Sequence, residues 1–254
     1  MMGTTPADQQ TRPRSSTLDR PTLMRLAAIE YDRVTTTLRE LSPSDWDCPT
    51  ECPGWDVRAM AGHVLGMAEM AASVREGARQ QLAAKRRGGV FIDALTALQV
   101  EARAGLTPQQ VVERLQVVGP RAAAARRRTP AFVRNRRMPG KQVVGDRLED
   151  WTLGFLLDTI LTRDPWMHRI DISRATGRPL TLTEDHDGVL VADVVHEWAG
   201  RHGTPCQLRL SGPAGGAWEF GTGGPSLELD AVDFCRALAG RGGSAHLFST
   251  EVPF

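Results

Sequence analysis

Three side chains of ligand type set the chemical question in this sequence. In LTRDPWMHRIDI (161–172), Asp164 and His168 stand four residues apart, a spacing that stacks both on one face of an α-helix. Far upstream, MAGHVLGM places His63 between Met60 and Val64 at the edge of a helical apolar stripe, so its imidazole points inward or nearly so. Two imidazoles and a carboxylate from two helices would give a divalent metal three protein ligands and leave the fourth position of zinc open. Each residue also has a purely structural reading. An imidazole on an apolar edge serves equally as a hydrogen-bonded core residue. Asp164 directly before Pro165 reads as an N-cap followed by proline at the first helical position. Pro165 lacks an N–H and crowds the preceding turn, so it predicts a kink or a restart.

Other chemistry is sparse. Of four cysteines, Cys48 and Cys52 lie together in DWDCPTECPGW, while Cys206 and Cys235 are distant. No second pair has zinc-ligand spacing, and a disulfide framework does not fit the reducing cytosol in which the chain is expected. Among the remaining histidines, His196 and His202 are six apart, the wrong spacing for one helix face; His186 falls in a turn and His246 in the tail. The glycine-rich stretches SGPAGGAW and GTGGP lack the strand–glycine–helix context and the lysine of a phosphate loop. No G-x-S-x-G nucleophile elbow is present.

The elements that must carry these residues follow from periodicity. Leu23, Ala27, Tyr31, Val34, Leu38 and Leu41 define an amphipathic helix over 19–41. Asp56 caps a second helix whose stripe (Val57, Met60, Ala61, Val64, Leu65, Ala68) carries His63, and the pattern runs on to about residue 85. A helix is expected over 91–104, and another from the cap pair Thr107–Pro108. A further long helix is marked by Leu148, Trp151, Phe155, Leu156 and Thr159 and continues into Asp164 and His168. Residues 19–176 thus read as a bundle of four main helices. ATGRPLTLTEDHDG (175–188) breaks the pattern. Beyond it, 183–254 reads as a small α+β unit: a helix over 189–202, strands in CQLRLSG, AWEFGTG and SLELD, and a closing helix in AVDFCRALAG with Gly240 at its end.

Bulk properties narrow the class. The net charge is +1, so no global field recruits nucleic acid. The segment 121–141 has eight basic residues and no acidic one. It reads as a solvated helix end or, alternatively, as a positive rim for small anionic substrates; it lacks the interleaved aromatics of a nucleic-acid platform. No run reaches the roughly 18 apolar residues of a membrane helix. Residues 1–18 are polar, hold prolines, lack the apolar centre of a signal peptide and are expected to be a frayed tail. The expected location is the cytoplasm.

Taken together, DWDCPTECPGWDVRAMAGHVLGM and RDPWMHRIDISRATGRP resemble the two signatures of the mycothiol-dependent maleylpyruvate isomerase family. The first has CPGW with a histidine eight residues after its tryptophan; the second has an acid four residues before a histidine, then R-x-D. The order of parts is also similar over 20–254: a DinB-like four-helix bundle, then a unit resembling sterol carrier protein. The resemblance implies a divalent metal, usually zinc, on His63, Asp164 and His168, with mycothiol or a similar thiol as cofactor and a small electrophile as substrate. The usual acid is glutamate; here it is the shorter aspartate, followed by proline. Gly240–Arg241 resembles the family's Gly-Arg after the last helix, which makes Arg241 the candidate for holding a substrate carboxylate; its structural alternative is a surface arginine. Isomerisation and thiol transfer remain alternatives, as does a non-catalytic metal- or ligand-binding protein that keeps the fold. Nothing fixes the oligomeric state, and a homodimer through helix faces is one option.

Overall fold

The first helix, α1 (Arg20–Arg39), begins where the Asp19 carboxylate accepts the Thr22 N–H, with Pro21 in its first turn. It buries Leu23, Ala27, Tyr31, Val34 and Leu38 of the stripe its periodicity predicts, and Leu26 besides. The computed structural model describes residues 14–138, 140–242 and 246–254. After a 3-10 turn over Pro43–Asp47, Asp56 caps α2 (Val57–Ala72) by accepting the Ala59 N–H. The single helix expected over 56–85 is in fact two. Ser73 adopts an extended conformation and accepts the Glu76 N–H, so α3 (Val74–Arg87) starts afresh and doubles back. The reversal lets the Gln80 amide donate to the Gly66 carbonyl and receive the Gln99 amide from α4 (Phe91–Glu101). The local signal of the break, the Ser73-x-x-Glu76 cap, is short and lies within a pattern that otherwise continues to residue 85.

Thr107 and Gln110 form a reciprocal capping box at the start of α5 (Pro108–Arg128). A short turn, α6 (Ala131–Arg134), follows. The helix expected to begin near Leu148 begins later, because 142–149 is a hairpin. Strands β1 (Gln142–Val144) and β2 (Arg147–Glu149) pair antiparallel, and Leu148 is exposed on β2. Gly145 turns the corner at a φ of 58°, a conformation glycine adopts without a Cβ penalty, and Asp146 completes a two-residue loop. The chain then winds through one widened π-type turn, Phe155–Ile160, directly into α7 (Leu161–Thr176).

Pro165 therefore lies inside a helix rather than at its start, and Asp164 is not its cap. The proline removes the N–H that would bond the Leu161 carbonyl. That carbonyl is taken at 2.9 Å by Nη1 of Arg126, a buried arginine of α5 that also reaches the Thr162 hydroxyl. A residue of the basic segment is thus an interior clamp on the turn that carries Asp164.

Helices α1, α2, α5 and α7 pack as the bundle, with α3 and α4 against α2. Their core holds Val34, Leu38, Trp46, Met60, Leu65, Leu115 and Ile172. Beyond Gly177, a turn over Glu184–Gly188 leads into α8 (Val189–His202), β3 (Cys206–Ser211), β4 (Gly216–Phe220), β5 (Ser226–Asp230) and α9 (Ala231–Leu238). The sheet order is β4-β3-β5, with β3 antiparallel to β4 and parallel to β5. Its core, around Trp198, Phe234 and Leu208, takes in Trp166, Met167 and Ile170 of α7. So α7 packs on both sides, and its two candidate ligands, Asp164 and His168, lie on the helix that joins the units.

Buried ion pairs fasten that seam. Arg169 pairs with Glu30 and Asp187, and Arg163 with Asp193 and Glu197. Asp193 also accepts bonds from Ser16 and Thr17. The tail expected over 1–18 falls outside the described residues up to 13, and Arg14, Ser16 and Thr17 are bonded to Glu149 and Asp193, because a buried carboxylate gains from added donors. Among the described residues no helix is long and apolar enough to cross a membrane.

Candidate metal centre

His63 and His168 arrive from different helices. His63 is on the buried face of α2 and His168 on α7, one turn beyond Asp164; both imidazoles are buried. His63 Nε2 lies 3.5 Å from Asp164 Oδ2, and His168 Nε2 lies 3.5 Å from Asp164 Oδ1. Donor atoms of all three residues fall within 4.8 Å of one another. The imidazole centroids are 5.3 Å apart and perpendicular, and the Trp55 ring covers both at 5.2 and 6.0 Å.

The donor set fits a divalent metal. Bonds of about 2.0–2.1 Å in tetrahedral array put ligand atoms about 3.3–3.5 Å apart. The two 3.5 Å separations match that edge and are long for hydrogen bonds. Asp164 Oδ2 is buried with no hydrogen-bond partner, a position a cation would fill. The aspartate is one methylene shorter than glutamate, yet it reaches both histidines because the clamped turn holds its backbone near them.

Electrostatics agree. Burial works to raise the Asp164 pKa, but the facing imidazoles of His168 and His63 outweigh it and hold the carboxyl below its usual range. Burial disfavours charge on His168 too, and Asp164 outweighs that, so the imidazole is held well above its ordinary value. A metal bound here would take the place of the imidazole proton that Asp164 now stabilises.

His168 is backed by a residue that sequence reading did not single out. Asp171, fully buried and three residues on, places Oδ2 at 3.1 Å from His168 Nδ1. Facing a carboxylate, Nδ1 carries the proton, and Nε2 is left toward Asp164. The available signal was the i, i+3 spacing from His168. Asp171 also accepts two bonds of 2.7 Å from Arg241, at Nε and Nη2. Burial opposes ionisation at both groups; at Asp171 the His168 bond and then Arg241 outweigh it and lower the pKa, and at Arg241 the facing Asp171 outweighs it and raises the pKa.

Asp164, His168 and Arg241 open onto a cavity of about 550 Å³. Its walls include Ile92, Val144, Trp151 and Phe254, with Asp93, Gln142 and Glu251 as further polar groups. His63 is not on the wall; it is reached through Asp164. Arg241 is therefore neither a free surface group nor unengaged. No residue of 121–141 lines this cavity among the described residues, so the basic segment does not form its rim. Arg126 is interior and Arg134 bonds Asp158.

The cysteine pair does not form a site of its own. Cys48 contacts the Ser44 carbonyl, whereas Cys52 Sγ lies 3.9 Å from Asp171 Oδ2 and 3.6 Å from Arg241 Nη2. Cys52, His168 and Asp171 form a second donor group, but the Asp171 oxygens are already taken by Arg241 and His168, which favours the His63 trio. Of the other histidines, His186 is buried against Glu30, the His196 ring meets Phe220 edge-on, and the His202 ring packs against Trp198. The side chain of His246 lies outside the described residues.

Residues 27–173 match the family model described as the mycothiol maleylpyruvate isomerase N-terminal domain. Among solved structures, the mycothiol-dependent maleylpyruvate isomerase is similar at 16% identity and a TM-score of 0.55, covering 89% of this chain and 90% of that one. A histidine-to-alanine mutant of the mycothiol-dependent maleylpyruvate isomerase matches over the same shares at 15% identity and the same TM-score. Among curated proteins, none matches.

Proposed function

The chain belongs to the family defined by the mycothiol maleylpyruvate isomerase N-terminal domain, and from that premise we propose that it is a metal-dependent enzyme acting with a small thiol such as mycothiol on a small electrophile. The observation that carries this reading is the convergence of His63, Asp164 and His168, with His168 and Asp164 facing a cavity whose wall also holds Arg241. His63, Asp164 and His168 would hold the metal, zinc being the ion this donor set suits. With a thiol bound, the metal would favour its thiolate, the form that is nucleophilic toward an activated double bond.

The chain's own groups do the rest. Asp171 fixes the His168 ring through Nδ1. Trp55 covers both imidazoles, which keeps bulk water off the ligand side. Arg241 gives Nε and Nη2 to Asp171, and its Nη1, bonded among the described residues at 3.4 Å to the Ala239 carbonyl, is the group that would take a substrate carboxylate. Trp151, Val144 and Phe254 exclude water from the reacting carbon atoms. An anionic electrophile with one carboxylate suits this arrangement. The same donor set and cavity would serve thiol transfer as well.

The test is an assay of the zinc-loaded full chain with mycothiol and maleylpyruvate, beside metal analysis of His63→Ala. Isomerisation by the parent and loss of both metal and turnover in the variant support the reading. Equal metal in the two proteins removes His63 from the ligand set and overturns it.

A further inference from the structure

Asp171 joins two parts of the cavity that come from opposite ends of the fold. One of its oxygens, Oδ2, takes both the His168 Nδ1 contact at 3.1 Å and the Arg241 Nη2 bond at 2.7 Å, while Oδ1 takes Arg241 Nε at 2.7 Å. The carboxylate is fully buried, so water does not substitute for either partner. Arg241 makes no hydrogen bond to His168 among the described residues; the Asp171 carboxylate is bonded to both. Cys52 Sγ stands beside the same oxygen and the same guanidinium nitrogen, closing the fourth side.

We infer that Asp171 is a positioning residue that couples metal ligation to carboxylate recognition: it sets the His168 ring for the metal, sets the Arg241 guanidinium for the substrate, and shares one negative charge between them. The inference rests on the metal reading of this site. A proton-bearing Nδ1 held by a carboxylate makes the opposite nitrogen a better donor, and loss of such a partner lowers metal affinity about 10–100-fold. When a substrate carboxylate draws on Arg241, more of the Asp171 charge falls to His168, so filling one subsite strengthens the other, and the coupling is reciprocal.

The test uses the full chain with zinc alone as ligand, competed by a chromophoric chelator, together with the imidazole Nδ1–H resonance of His168 in isotope-labelled protein, metal-free and zinc-loaded. Asp171→Ala is expected to weaken zinc about 10–100-fold and to abolish the downfield position of that resonance. Arg241→Ala, which touches no ligand, is expected to shift the resonance further downfield and to tighten zinc binding. Should Asp171→Ala fold poorly, Asp171→Asn and the double variant Asp171→Ala/Arg241→Ala, which removes both charges together, carry the measurement. An Arg241→Ala protein with an unmoved His168 resonance, or an Asp171 variant with parental zinc affinity, overturns the coupling. A parent chain that fails to bind zinc overturns the metal reading instead, and the metal-free resonance still decides whether Asp171 links the two side chains.

Discussion

Arg126 Nη1 donates to the carbonyl of Leu161 at 2.9 Å, the acceptor that Pro165, having no N–H, leaves open. An arginine from a run of basic residues thereby repairs a helix broken by proline, and the repaired turn is the one that presents Asp164 to both histidines. Arg126→Ala leaves that carbonyl and the Thr162 hydroxyl without this donor in a buried setting. A loss of about 2–4 kcal/mol in urea unfolding is expected, together with weaker zinc binding. Unchanged zinc affinity in a destabilised variant would show that the clamp does not position Asp164.

Metal occupancy should be visible as stability. A ligand bound by the folded state alone adds about 2.7 kcal/mol at a hundredfold excess over its Kd. Chelation should therefore lower the Tm of the parent chain. The same treatment should leave the Tm of Asp164→Asn or His63→Ala nearly unmoved, because neither holds the ion. Calorimetry with and without chelator checks this; equal chelator sensitivity in all three proteins would assign the ion elsewhere.

Acid should release the seam between the two units. Burial disfavours a charged Asp193, but Arg163 and the Ser16 and Thr17 donors outweigh it and hold its pKa below the usual value. A folded-state pKa below the unfolded one, about 3.9, contributes stability that is complete above the unfolded value and is lost as pH falls through the folded one. Unfolding free energy should thus fall from about pH 5 downward. Asp193→Asn should flatten part of that slope and reduce stability at neutral pH by about 3–5 kcal/mol, since Arg163 loses one of its two carboxylates. A parental slope in the variant would place the acid sensitivity elsewhere, with Asp187 at the same seam as the next group to vary.

The four thiols should separate by reactivity. Cys206 and Cys235 are buried, and burial pushes both thiols up, Cys235 strongly. Cys48 and Cys52 are partly accessible. Iodoacetamide under native conditions should label only Cys48 and Cys52 by mass spectrometry. Zinc should not shield Cys52 if the His63 trio holds the ion; protection of Cys52 would point to the alternative group with His168 and Asp171.

Much of the architecture was legible from local pattern. The stripe of α1, the Asp56 and Thr107 caps, the three strands of the second unit and the spacing of Asp164 and His168 each follow from periods of 3.6 or 2 and from capping chemistry, which act over a few residues. The α2–α3 break, the 142–149 hairpin and the uninterrupted helix through Pro165 run against the helical periodicity: the first two leave only short local signals, the Ser73-x-x-Glu76 cap and the Gly145–Asp146 turn, whereas the third is settled by a distant partner, Arg126.

The sequence by itself determined which donor atoms exist and which of them share a helix face. It placed His168 one turn from Asp164 and named His63 and Arg241 as candidates. Only the tertiary structure decided that His63 meets Asp164 at 3.5 Å, that the aspartate reaches both imidazoles, and that Arg241 is held by Asp171 rather than free in solvent. The reason is physical: spacing along a helix fixes direction within one element, whereas the distance between elements is set by how their buried faces and buried charges pack.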